Sequence, residues 1–126
     1  MRDRPFVVVV DDDHAVRKAL ARLLRAAQLD VETYSSGERF LLSLPQRLPD
    51  CLVLDIRMPG MTGPELRDQL MTIGHRIPIV FITAHAEDVA AERGASGELP
   101  DILRKPFDDE VLLEAIGRSM RRREAV

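Results

Sequence analysis

The 126 residues suffice for one compact domain, and a composition 45% hydrophobic and 31% charged excludes a disordered chain, a collagen-like fibre and a disulfide scaffold. Eighteen basic residues against 21 acidic give a net charge of −3, a poor electrostatic footprint for direct nucleic-acid binding. The single cysteine, Cys51, has no internal disulfide partner, and no stretch approaches the ~18 apolar residues of a membrane span, so a cytoplasmic setting is expected.

The five apolar residues Phe6–Val10 are too few for a secretory leader and read as a β-branched strand buried on both faces. Three acids follow, Asp11, Asp12 and Asp13. From His14 to Ala27, the residues Val16, Leu20, Leu23, Leu24 and Ala27 recur at helical spacing, which leaves Arg17, Arg22 and Arg25 for solvent and Asp13 as the N-cap. Asp30–Tyr34 alternates as a strand does. Ser35 or Ser36 caps a second, shorter helix that carries Phe40, Leu41 and Leu44 and stops before Pro45.

Cys51–Leu54 is a further buried strand, ending in Asp55. Gly63-Pro64 opens a third helix, with Pro in the first turn and Leu66, Leu70 and Ile73 facing in. Ile79–Ile82 is the fourth strand, and Thr83-Ala84 ends it. Residues 87–100 contain Gly94, Ser96 and Gly97, and each glycine costs a helix ~1 kcal/mol against alanine. A fourth helix is therefore expected to be short, frayed or absent. Asp101–Arg104 is a weak fifth strand that runs into Lys105-Pro106, and Asp108 to Met120 forms the last helix, with Val111, Leu112, Ala115 and Ile116 buried. The chain reads as a single domain on 1–126, whose last residues, 121–126 with Arg121-Arg122-Arg123, are a helix tail or the start of a linker.

Such alternation implies right-handed crossovers and a doubly wound α/β sheet, whose ligands bind at the carboxyl ends of the strands. Asp11, Asp12, Asp55, Thr83 and Lys105 all follow strands and converge at that edge. Three crowded carboxylates resist ionising, and a hard divalent cation removes the conflict through oxygen ligands, which points to Mg²⁺ more than to zinc. Lys105 adds a fixed cation and Thr83 a hydroxyl donor. Together they form a kit for phosphoryl transfer onto an aspartate.

Asp11-Asp12, Asp55 ahead of Met58-Pro59-Gly60-Met61-Thr62-Gly63, Thr83-Ala84 and Lys105-Pro106-Phe107 resemble the signature of response-regulator receiver domains. The stretch from Asp55 to Gly63 is most similar to receivers of FixJ-type regulators. The resemblance spans nearly the whole chain and implies a flavodoxin-like (CheY-like) three-layer sandwich with a parallel sheet in the order 2-1-3-4-5. It implies that Asp55 accepts phosphate from the phosphohistidine of a sensor histidine kinase and that the chain later hydrolyses its own aspartyl phosphate. Asp11, Asp12, Asp55 and the Arg57 carbonyl would hold Mg²⁺, with Mn²⁺ as a substitute. Lys105 would pair with the phosphoryl oxygens, Thr83 would move toward them, and the Lys105-Pro106 bond would be cis. A phosphorylation-dependent homodimer and a covalent C-terminal DNA-binding domain are also implied, and no membrane partner.

Two departures fall on the output side. Ile102 stands where many receivers carry an aromatic switch residue, and 87–100 lacks the usual alanine- and glycine-marked pattern. Signalling through ordering or repacking of 87–100 is the expectation that follows. Other residues have plainer readings: His14 and His75 as solvated side chains, Met58 and Met61 as packing residues, Cys51 as core. His85, two residues past Thr83, lies close enough to modulate access. An aspartate-nucleophile phosphatase of the haloacid-dehalogenase type would need an acid where Arg57 stands. A pseudo-receiver, with the fold but no phosphorylation, is the second rival, and it conflicts with the complete residue set.

Overall fold

Short β-branched runs become the strands of one sheet: β1 (Phe6–Val10), β2 (Asp30–Tyr34), β3 (Cys51–Asp55), β4 (Ile79–Thr83) and β5 (Asp101–Arg104). The computed structural model describes residues 4–44, 47–89 and 101–125, with side chains through residue 122. All four pairings are parallel, in the order β2-β1-β3-β4-β5. Among the described residues the sheet is covered by the helices α1 (His14–Ala26), α2 (Gly37–Ser43), α3 (Gly63–Thr72) and α4 (Asp109–Ala125). The flavodoxin-like order anticipated above is the order observed.

The pleat divides each strand between two cores. Val8, Val10, Leu52, Leu54 and Phe81 pack with Phe40 of α2 and Leu66 and Leu70 of α3. Val7, Val9, Val53, Val80 and Ile82 pack with Leu20 and Leu24 of α1 and Leu112, Ala115 and Ile116 of α4. Alternate residues serve opposite layers, so the central strands β1, β3 and β4 are buried throughout, whereas the edge strands β2 and β5 are only partly so.

Local chemistry sets the helix starts. The Asp13 carboxylate accepts from the amides of Ala15 and Val16, and Ser36, not Ser35, caps α2 through the Arg39 amide. Thr62 and Glu65 form a reciprocal capping box on α3, a pairing not read from the sequence. Gly63 is held so close to the preceding loop that a Cβ would lie 2.5 Å from the Asp55 carbonyl oxygen.

Several expectations need correction. Ile73 is 53% exposed, because α3 ends at Thr72 and the chain swings away through Gly74 at φ +91°. Val111 is 41% exposed. It lies about 100° round α4 from Leu112, at the margin of the stripe formed by Leu112, Ala115, Ile116 and Ser119. Arg17 is half-buried, its guanidinium donating to the Asp11 carbonyl at 2.7 Å, and His75 is half-buried also. β3 ends at Asp55 and β4 at Thr83, as expected, whereas α4 runs past Met120 through the arginines to Ala125. Residues 86–89 form one helical turn, and the rest of the segment read as a weak fourth helix, 90–100, lies outside the described residues. Cys51 is fully buried in β3, with its Sγ 3.2 Å from Ser119 Oγ.

Candidate functional site

The carboxyl ends of β1, β3, β4 and β5 bring Asp11, Asp55, Thr83 and Lys105 to one edge of the sheet. Asp11 is fully buried at the end of β1, where its Oδ1 accepts from the Asp13 amide at 2.9 Å and its Oδ2 from Lys105 Nζ at 2.8 Å. Asp55 is 6% exposed; its Oδ1 accepts from the Arg57 amide at 3.3 Å, and its Oδ2 lies 3.5 Å from the same Lys105 Nζ. Asp12 stands exposed beside them, and ligand oxygens of Asp11, Asp12 and Asp55 all lie within 4.8 Å of one another.

Burial, and then the charge of Asp11, push the Asp55 carboxyl up to about 6 against the opposing pull of Lys105. Burial works against the Lys105 ammonium, but its bond to Asp11 and the charges of Asp55 and Asp11 outweigh it and raise its pKa above the ordinary value. One ammonium thus serves two carboxylates, with the shorter bond to Asp11. The donor set is all oxygen and its negative charge is only partly offset, so these residues fit a hard divalent cation.

Thr83 is fully buried, and its hydroxyl donates to Asp88 Oδ2 at 2.6 Å while accepting from the His85 amide at 3.1 Å. Asp88 also receives Arg57 Nε at 3.0 Å and Nη2 at 3.0 Å, a bidentate pair, and Nη2 reaches Glu87 at 3.0 Å. The Arg57 guanidinium, helped by the Thr83 hydroxyl, holds the Asp88 carboxyl below the usual range. His85 turns toward Glu87, with Nδ1 at 3.5 Å. Lys105 is fixed by its own amide, which donates to the Thr83 carbonyl at 2.7 Å, and the bond to Pro106 is cis. Ile102 is buried in β5 beside Phe81, its partner in register on β4.

The structure therefore gathers Asp11, Asp12, Asp55 and Lys105 around one point and gives Thr83 and Arg57 a shared partner. That partner, Asp88, was missed in the sequence. The only trace of Asp88 in the sequence is its place five residues beyond the strand-end threonine, and the family resemblance involves Arg57 through its backbone carbonyl and not its guanidinium.

A family model described as the response regulator receiver domain matches residues 7–117. The chain is 39% identical over 122 residues to response regulator protein TodT of Pseudomonas putida, covering 96% of this chain and 54% of that protein. It is 38% identical over 113 residues to transcriptional regulatory protein FixJ of Rhizobium meliloti, covering 90% of this chain and 55% of that protein. The chain thus spans about half the length of these curated relatives. Among solved structures it superposes on FixJ-N with a TM-score of 0.83 at 36% identity, covering 96% of each chain. For response regulator StyR the TM-score is 0.78 at 45% identity, covering 97% of this chain and 64% of that one.

Proposed function

We propose, because the chain belongs to the family of response-regulator receiver domains of two-component systems, that Asp55 accepts a phosphoryl group from the phosphohistidine of a sensor histidine kinase. The observation that carries this reading is the joint geometry of Asp55, Asp11, Asp12 and Lys105 at one sheet edge. An Asp55 oxygen attacks phosphorus, the P–N bond of the donor breaks, and the imidazole leaves with its electron pair. A carboxyl raised to about 6 is mostly ionised at pH 7 and so retains its nucleophilic form. Lys105 is placed to shift from Asp11 toward the new phosphoryl oxygens.

Asp11, Asp12, Asp55 and the Arg57 carbonyl would hold Mg²⁺ or Mn²⁺, which would offset the negative charge of the carboxylates and of the incoming phosphoryl group. Return to the resting state follows when water attacks phosphorus and the Asp55 oxygen leaves, regenerating the carboxylate and free phosphate. The chain acts on itself in both steps, so it is a signalling domain more than an enzyme with turnover. Its setting is the cytoplasm, and among the described residues no helix is long and apolar enough to cross a membrane. A DNA-binding output domain beyond this chain and a homodimer formed on phosphorylation complete the proposed assembly. FixJ's description as a transcriptional regulatory protein supports the first of these.

Intact-mass spectrometry after incubation with phosphoramidate and Mg²⁺ tests the reading. The expected result is one phosphoryl adduct, dependent on Mg²⁺ and absent from Asp55→Asn. A folded wild-type protein that takes no adduct from phosphoramidate, nor from a phosphorylated sensor kinase, would overturn it in favour of a phosphorylation-independent binding module.

A further inference from the structure

Resting on the phosphoacceptor reading, we infer that Asp88 is a positioning residue that holds the Thr83 hydroxyl and the Arg57 loop in the resting arrangement, and that phosphoryl transfer to Asp55 must break this hold. Thr83 has one hydroxyl proton, and it is spent on Asp88 Oδ2 at 2.6 Å. The His85 amide donates to the same hydroxyl at 3.1 Å, which fixes the direction of that proton. The Thr83 hydroxyl cannot donate to a phosphoryl oxygen and to Asp88 at once.

Asp88 is itself anchored. Its side chain is 12% exposed and takes both Nε and Nη2 of Arg57, a planar fork that fixes orientation as well as distance. The backbone amide of Arg57 donates to Asp55 Oδ1 at 3.3 Å. One carboxylate thus connects the buried threonine that ends β4 to the loop whose amide touches the phosphoacceptor. A phosphoryl group on Asp55 brings three acceptor oxygens and close to two negative charges. It competes with Asp88 for Thr83 and shifts the electrostatic balance at Arg57. Asp88 is therefore the counterweight against which the phosphorylated arrangement is set.

The test compares Asp88→Ala, Thr83→Val and the double variant by the rate constant for phosphorylation by phosphoramidate at saturating Mg²⁺. Losing one charge-assisted hydrogen bond from the resting arrangement alone is expected to raise the rate constant about tenfold in Asp88→Ala. If Asp88 acts through Thr83, the double variant matches Thr83→Val, and the gain disappears. Asp88→Glu, which restores the charge on a longer arm, is expected to return the rate most of the way to wild type. In unphosphorylated protein, the Arg57 Nε–H signal should exchange slowly in wild type and rapidly in Asp88→Ala. Should the alanine variant not fold, the near-isosteric Asp88→Asn takes its place in the same cycle.

An unchanged rate constant in Asp88→Ala would overturn the inference. So would the same gain in the Thr83→Val background, which would mark a general loosening. A wild-type chain that takes no phosphoryl group removes the parent reading and this one together, whereas phosphorylation that ignores Asp88 removes this one alone.

Discussion

Replacing Asp55 with asparagine is expected to stabilise the divalent-free protein at neutral pH. In the wild type, burial and the neighbouring Asp11 raise the Asp55 carboxyl from an ordinary value of 3.8 to about 6. The native state therefore binds a proton more readily than the unfolded chain does. Stability associated with this group is fully present below about pH 4 and is lost as pH rises through about 6. At about 1.4 kcal/mol for each tenfold change in proton affinity, holding Asp55 ionised at pH 7.5 costs the fold up to ~3 kcal/mol. Asparagine keeps the shape, removes the charge and leaves Lys105 its 2.8 Å bond to Asp11. For a domain of this size the gain corresponds to a rise in Tm of about 5–10 °C. Thermal unfolding in EDTA from pH 4 to pH 8 checks the sign as well as the size, because the advantage of the variant should shrink on acidification and vanish near pH 4. Added Mg²⁺ should narrow the gap at pH 7.5, since the native wild type gains a ligand that the variant binds less well. A variant no more stable than wild type at pH 7.5, or an advantage that grows toward pH 4, would refute the account of Asp55 as a strained, ionised carboxylate.

Removing the Lys105 cation through Lys105→Met should raise the Asp55 carboxyl further, since Lys105 now pulls it down; the side-chain carboxyl resonance of Asp55, followed against pH, reports the shift directly. Gly63→Ala drives a Cβ to within 2.5 Å of the Asp55 carbonyl oxygen and is expected to cost ~1–3 kcal/mol in urea unfolding, with a wild-type midpoint as the contrary result. The Cys51 thiol, pushed up to about 12 mainly by burial, should resist iodoacetamide at pH 8 in the native protein and react only as fast as the chain opens.

Strands apolar on both faces, such as β1, β3 and β4, are easy to read, because each of their residues meets a layer of helices; these runs locate the strand-end residues, whereas the order of the strands follows from the family resemblance. Periodicity was less informative where a helix stops. Ile73 continues the Leu66 and Leu70 spacing, yet the chain has already left the helix at that point. Val111 shows the same limit at the margin of a buried stripe, since a spacing rule has no knowledge of how wide the opposing surface is. Asp11, Asp12, Asp55 and Lys105 meet because parallel strands end together, a consequence of topology alone. The role of Asp88 depends instead on the turn at 86–89 folding back over the edge, so that Arg57 and Thr83 reach it from different strands. No local pattern in the sequence encodes that meeting.

The division of β1 between two cores makes this strand a ruler. Val7 and Val9 face one layer, and Phe6, Val8 and Val10 the other. With valine at four consecutive positions, exchange of the two faces would put much the same side chains into much the same space. The deletion of one residue would nonetheless draw Asp11 back by ~3.3 Å from Asp55 and Lys105. The strand is thus indifferent to which face its valines take and strict about how many residues it holds, and its length sets the position of the first carboxylate.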